Sequence, residues 1–216
     1  MVKPEIIFDE ATHTYLVDGE EVPSVTTILQ PLTSRGYGKI NPSVLEYAAN
    51  RGRAVHEALE IYDLGGELEV VPETEGYIRA YLEWSQIYRP KWIGVEQIVY
   101  SADEGFIGTL DRFGVLNGTE RAIVDLKTSN PTKEALVAVC CQTAAYMLAL
   151  SETDEGSAPR RYGLFLKPDG TYRFLDCEDY ESKYGIRGGE VFLDLLKTHK
   201  LITKILEAKA RGKGGE

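Results

Sequence analysis

The sequence predicts an α/β protein: a mixed central sheet flanked by helices, with one hairpin in its middle. Three observations point there. Residues 108–127 read as two strands rich in β-branched, leucine and aromatic residues, joined by Asn117-Gly118, the strongest short hairpin signal. Stretches with apolar residues three and four apart lie on both sides of that hairpin. Further strand-like runs precede and follow it.

With 216 residues the chain is long enough for one domain with a full core. It divides into a hairpin and helix start over 1–40, a core over 41–176 and a helical segment over 177–216. No apolar run reaches spanning length and no signal-peptide pattern opens the chain, so no membrane is expected. Cys140, Cys141 and Cys177 make neither a disulfide framework nor a zinc or iron–sulfur spacing, which fits a reducing cytoplasm. A net charge of −10 argues against indiscriminate nucleic-acid binding, but not against a local basic cleft.

Residues 5–22 read as a hairpin with Asp18-Gly19 at its turn and His13 as a loop histidine. Ser24 is placed to cap a helix starting in Pro23–Leu29, and residues 31–40 read as a mobile loop. Asn41-Pro42 opens a helix that stops at Gly65-Gly66, with Leu45, Ala48, Val55, Leu59 and Tyr62 as its apolar stripe. On another face of it Gly52, His56 and Glu60 stack at spacing four. A second helix, about 73–88, carries Tyr77, Tyr81, Trp84 and Tyr88 and ends at Pro90. Lys91–Ser101 reads as a strand in which Glu96 is out of place, either an edge-strand charge or an acid near a site. After the central hairpin, Asn130-Pro131 starts a helix apolar almost all round, with Gln142 and Tyr146 as polar exceptions on one face. A last hairpin turns at Pro168-Asp169-Gly170. A terminal helix, about 189–210, has Val191, Leu195, Ile202 and Ile205 as its inner face. Its end is basic, with Lys197, Lys200, Lys204, Lys209, Arg211 and Lys213; such a run is a solvated face or a phosphate-binding surface.

The polar residues of the central hairpin admit two readings. Asp125 and Lys127 share one strand face, with Leu126 pointing the other way into a core, and Asp111 sits mid-strand where Asp is disfavoured. They form either a structural salt bridge or a hard-cation site, since buried charges need a partner or a metal. The cation reading makes a geometric demand. A two-residue loop would set Asp111 opposite Val124 and turn it away from Asp125. An odd-numbered loop or a bulge is therefore required, with Gly114 and Gly118 as candidate positions. His56 by itself reads as an ordinary core or surface histidine.

Taken in order, the Gly-x-x-x-His-x-x-x-Glu helix (Gly52–Glu60), the Gly-Thr-x-Asp strand (Gly108–Asp111), the Asp-x-Lys-Thr strand (Asp125–Thr128) and the Gln-x-x-x-Tyr helix (Gln142–Tyr146) resemble the PD-(D/E)XK nuclease superfamily. The resemblance is to its RecB-like branch. The segment Pro23–Leu29 is also similar to one in phage members and mitochondrial genome maintenance exonucleases. The likeness covers 23–150 well and the rest loosely. It implies a restriction-endonuclease-like core and a metal-dependent DNA exonuclease acting at DNA ends or on single strands, with an endonuclease or an inactive DNA-binding module as rivals. It implies His56, Asp111, Asp125 and the Leu126 carbonyl as ligands for Mg²⁺ or Mn²⁺, Lys127 as the catalytic lysine, and Gln142 and Tyr146 as residues positioning DNA. Arg53, Lys200 and Lys204 are further DNA-binding candidates. No iron–sulfur cluster is expected. A single-strand annealing or binding protein in a bacterial or phage-infected cell is an expected partner.

Overall fold

The computed structural model describes residues 4–9, 12, 14–34 and 41–212. His13, residues 35–40 of the expected loop and Lys213 lie outside the described residues. The elements are β1 (Ile6–Asp9), β2 (Thr14–Val17), β3 (Glu20–Val22), α1 (Val25–Thr33), α2 (Pro42–Asp63), α3 (Glu75–Tyr88), β4 (Lys91–Ser101), β5 (Phe106–Leu116), β6 (Glu120–Lys127), α4 (Lys133–Ser151), β7 (Arg160–Leu166), β8 (Tyr172–Asp176), α5 (Cys177–Tyr184) and α6 (Gly188–Gly212).

β4 to β8 form one sheet in chain order, with a separate three-stranded sheet from β1 to β3. Pairing is antiparallel except between β6 and β7, which run parallel because α4 carries the chain back across the sheet. The predicted mixed sheet with its hairpin in the middle is therefore observed. Helices cover both faces. Val25, Ile28, Phe113, Ile123, Tyr146 and Phe192 join α1, α4 and α6 to the sheet on one side. Val55, Leu59, Tyr81, Trp84, Val124 and Leu126 join α2 and α3 to it on the other. Trp84 is fully buried and stacks on Tyr88 and Trp92. Burial of such a ring is worth roughly 4–6 kcal/mol by area.

Several boundaries differ from the predicted ones. α1 continues through Pro31 to Thr33, so the first part of the expected loop is helix. The α4 cap is Thr132, whose hydroxyl accepts the Ala135 N–H, rather than Asn130 two residues earlier. Tyr62 is 39% exposed and so sits at the rim of the α2 stripe. In α6 the buried apolar side chains among the described residues are Phe192 and Leu196, while Ile202 and Ile205 are exposed because the helix has run past the sheet. α4 is long and apolar enough to cross a membrane by length and composition, contrary to the expectation that no run is, but 67% of that stretch is buried as the core helix.

α1 is seated against β5. The Ile107 N–H donates to the Pro23 carbonyl at 3.1 Å, and a Cβ on Gly108 would come within 2.9 Å of Tyr146 Cε1 and 3.0 Å of Val25 Cγ2. Gly108→Ala should therefore lower stability by about 1–3 kcal/mol in urea unfolding. Unchanged stability would contradict this packing.

Candidate active site

The geometry of the site begins in the β5–β6 loop. Asn117 and Gly118 take positive φ, 50° and 80°, as a tight reversal requires. The Thr119 N–H closes that turn on the Leu116 carbonyl at 3.2 Å. Leu116 pairs not with Thr119 but with Glu120, so three residues separate the strands and the register continues to Arg112↔Val124. This meets the requirement for an odd-numbered loop. The next pair in that register is Asp111 with Asp125, so the two share a face. Of the two candidate glycines, Gly118 is in the loop. Gly114 marks no bulge in β5; the irregularity is in β4, between Trp92 and Gly94, and Gly114 is instead where the Lys91 carbonyl crosses too closely for a Cβ.

Backbone pairing of β5 with β6 stops at Arg112↔Val124. Beyond it the Leu126 N–H donates to Asp111 Oδ2 at 2.6 Å, so a carboxylate takes the donor that the ladder leaves over. Lys127 Nζ lies 2.7 Å from Asp125 Oδ2 and donates to Gln142 Oε1 at 3.1 Å. Gln142 Nε2 donates to the Tyr146 hydroxyl at 2.9 Å. The salt bridge of the simpler reading is thus present, but it does not satisfy Asp125. That residue is 1% exposed, and neither of its oxygens has an aligned hydrogen-bond partner among the described residues, Oδ2 having only the ammonium contact.

His56 enters from the middle of α2. Gly52, one turn earlier, lets the helix approach the end of β6; a Cβ there would lie 3.2 Å from the Thr128 hydroxyl. His56 Nδ1 lies 3.5 Å from Glu96 Oε1 and 3.9 Å from Asp111 Oδ2. Glu96 has a φ of 44°, a left-handed conformation that costs a non-glycine residue about 1–2 kcal/mol. Strain of this kind persists only where the surroundings hold the residue in place. Its functional reading, an acid near the site, is the one the geometry supports.

Burial pushes the Asp125 carboxyl up to about 7, against the pull of Lys127, and nearby Asp111 adds to the rise. Burial works against the Lys127 ammonium, yet Asp125 and Asp111 outweigh it and raise its pKa. Burial also opposes a charged His56, and Asp111 and Glu96 overcome it. Carboxylates therefore exceed cations here, and Asp125, Lys127 and His56 each hold a proton more firmly for it. His56, Glu96 and Asp111 offer ligand atoms within 4.8 Å of one another. This set of one nitrogen and two carboxylate donors, beside a buried carboxylate that has a single ammonium contact, fits a hard divalent cation.

The site opens into a cavity of about 370 Å³ lined by Tyr15, Ser24, Thr26, Thr109, Lys127 and Gln142 among others. Asp111, Asp125, Lys127, His56, Gln142 and Tyr146 are thus brought together. Asp125 stands outside the three-ligand cluster and faces Lys127; Leu126 contributes its N–H to Asp111. Arg53 is exposed on α2 and bonds to Asn50 on its own helix. Lys200 and Lys204 are away from the carboxylates. They line a neighbouring cavity of about 630 Å³ that shares Tyr15 and Ser24 with the first. Sequence reasoning missed the ion pair of Arg112, fully buried, with Asp63 at 2.6 Å. The available signal was that Glu96 and Arg112 are both misplaced charges in adjacent strands, able to answer each other.

A family model described as the PD-(D/E)XK nuclease superfamily matches residues 69–202, more than half of the chain; His56 precedes the matched region. Among solved structures, an alkaline exonuclease from Laribacter hongkongensis is similar at 13% identity, covering 87% of this chain and 93% of that one, with a TM-score of 0.36. No curated protein matches.

Divalent metal should stabilise the folded protein. At a hundredfold excess over its dissociation constant, Mn²⁺ should contribute about 2.7 kcal/mol and raise the melting temperature by several degrees. Asp111→Asn should remove that rise. A wild-type melting temperature indifferent to Mn²⁺ would count against the cation reading.

Proposed function

The chain belongs to the PD-(D/E)XK nuclease superfamily, and from there we propose that it is a divalent-metal-dependent deoxyribonuclease, an exonuclease that hydrolyses phosphodiester bonds at DNA ends or on single strands. The observation that carries this reading is the β5–β6 register, which continued one residue past Arg112↔Val124 puts Asp111 and Asp125 on one face, with Lys127 Nζ 2.7 Å from Asp125 and His56 Nδ1 3.9 Å from Asp111.

His56, Asp111, Asp125 and the Leu126 carbonyl would hold Mg²⁺ or Mn²⁺, with Glu96 adjoining. Such an ion supplies an acidified water and neutralises charge on the phosphate oxygens. The protein's own groups do the rest. Lys127 is kept charged by Asp125 and aimed by Gln142, so its ammonium can orient the attacking water and offset negative charge that grows during in-line displacement. Gln142 is itself fixed by Tyr146, one helical turn on. Thr26, Thr109 and Ser24 line the cavity with hydroxyls able to donate to phosphate oxygens. Lys200 and Lys204 carry the DNA backbone through the neighbouring cavity, and Arg53 meets it on α2. The reading includes a place in DNA recombination, repair or replication in a bacterial or phage-infected cell, alongside a single-strand annealing or binding protein.

The test is cleavage of end-labelled single- and double-stranded DNA with Mg²⁺, Mn²⁺ or chelator. Asp125→Ala and Lys127→Ala should each reduce cleavage at least a hundredfold while circular dichroism stays native. Activity surviving both refutes the mechanism. Covalently closed circles should stay whole; if they are cut, the enzyme is an endonuclease. Lys200→Gln combined with Lys204→Gln should weaken single-strand binding and lower its salt slope by about 1.4. An unchanged slope would take these lysines out of the DNA path.

A further inference from the structure

Behind the site lies a set of buried polar groups that the proposed chemistry does not use. Arg112 follows Asp111 directly and, by strand alternation, leaves the opposite face. It is fully buried. Its Nε donates to Asp63 Oδ2 at 2.6 Å, and its Nη1 donates to Glu96 Oε1 at 2.9 Å and to the Asp111 carbonyl at 2.8 Å. The Tyr81 hydroxyl donates to the same Asp63 oxygen at 2.6 Å, and the Trp92 indole donates to Tyr81 at 3.2 Å. Four elements, α2, α3, β4 and β5, meet at this guanidinium.

Two features set it apart from an ion pair made for stability. A buried pair is no more stabilising than apolar residues of the same volume, and this one leaves Arg112 Nη2 without a partner among the described residues. The fork is aimed rather than saturated. It is also aimed at strain, because Glu96, the residue it grips, is among the described residues the one strand residue held at positive φ. The oxygen it holds, Oε1, is the one 3.5 Å from His56.

We propose that Arg112, anchored by Asp63, is a positioning residue that holds the Glu96 carboxylate and the Asp111 backbone together, and so sets the spacing of the His56–Glu96–Asp111 cluster for a divalent cation. This rests on the metal-dependent reading above. Arginine is needed because one planar group must reach Asp63 and Glu96 at a fixed angle; a lysine reaches one of them.

The experiment compares wild type with Arg112→Lys, Asp63→Asn and Tyr81→Phe. Mn²⁺ binding to chelator-stripped protein is followed by electron paramagnetic resonance, and cleavage of labelled single-stranded DNA is followed against Mn²⁺ concentration. Arg112→Lys and Asp63→Asn should keep native circular dichroism and bind Mn²⁺ about 10–100-fold more weakly. Their half-saturating Mn²⁺ should rise by the same factor, with the maximal rate recovering at high metal and single-strand affinity in chelator unchanged. If Arg112→Lys does not fold, Asp63→Asn and Tyr81→Phe carry the test. Unchanged Mn²⁺ affinity in the folded variants overturns the inference, as does a wild type that binds no Mn²⁺. A wild type that binds Mn²⁺ but cleaves nothing sinks the nuclease reading, while the binding data still decide the role of Arg112.

Discussion

Thr119 closes the Asn117-Gly118 turn on Leu116 yet stays outside β6, and as the third residue of the loop it sets the register that brings Asp111 to the face of Asp125. A strand has a side-chain period of two, so one residue more or less in that loop turns every side chain of β6 over. With two residues, Asp125 and Lys127 would lie on the far side of the sheet from Asp111. With three, both carboxylates and the ammonium meet, and the Leu126 N–H finds Asp111 in place of a strand partner. The approach of α2 at Gly52 to Thr128 and the facing of α4 to Lys127 through Gln142 both presuppose that register.

What the register assembles is electrostatically incomplete. Asp63, Glu96, Asp111 and Asp125 are held against Arg112 and Lys127, with His56 between them. The excess of negative charge has opposite consequences on the two faces. On the Arg112 face it is compensated by a fixed guanidinium, fully buried and bonded on two sides. On the Asp125 face it meets only the Lys127 ammonium, and a nearly inaccessible carboxylate is left without an aligned donor among the described residues. Buried charges stay charged only when something answers them. A site that is rigid behind and uncompensated in front is prepared for a cation from outside.

The central place of the hairpin in the sheet and the extents of most elements follow from local signals: the Asn-Gly turn, the Asn41-Pro42 helix start, the apolar stripe of α3 and the nearly all-apolar run of α4. The site was legible as far as its residues lie on regular elements, so Asp125 with Lys127 and Gln142 with Tyr146 came directly from periods of two and four. Less legible was whatever depended on tertiary approach. Ile202 and Ile205 keep a helical apolar spacing, but nothing in a periodic pattern says that the helix has passed beyond the sheet. Arg112 looks like an exposed strand residue until Asp63, far away in the chain, is seen beside it. The left-handed backbone of Glu96 leaves no trace in residue type, because glutamate is not a residue that seeks that region.

The most direct measurement is anomalous diffraction from crystals soaked in Mn²⁺. The account requires a manganese peak among His56, Glu96, Asp111 and Asp125, with Asp125 turned toward it. A peak elsewhere, or none, with Asp125 still facing only Lys127, would contradict it.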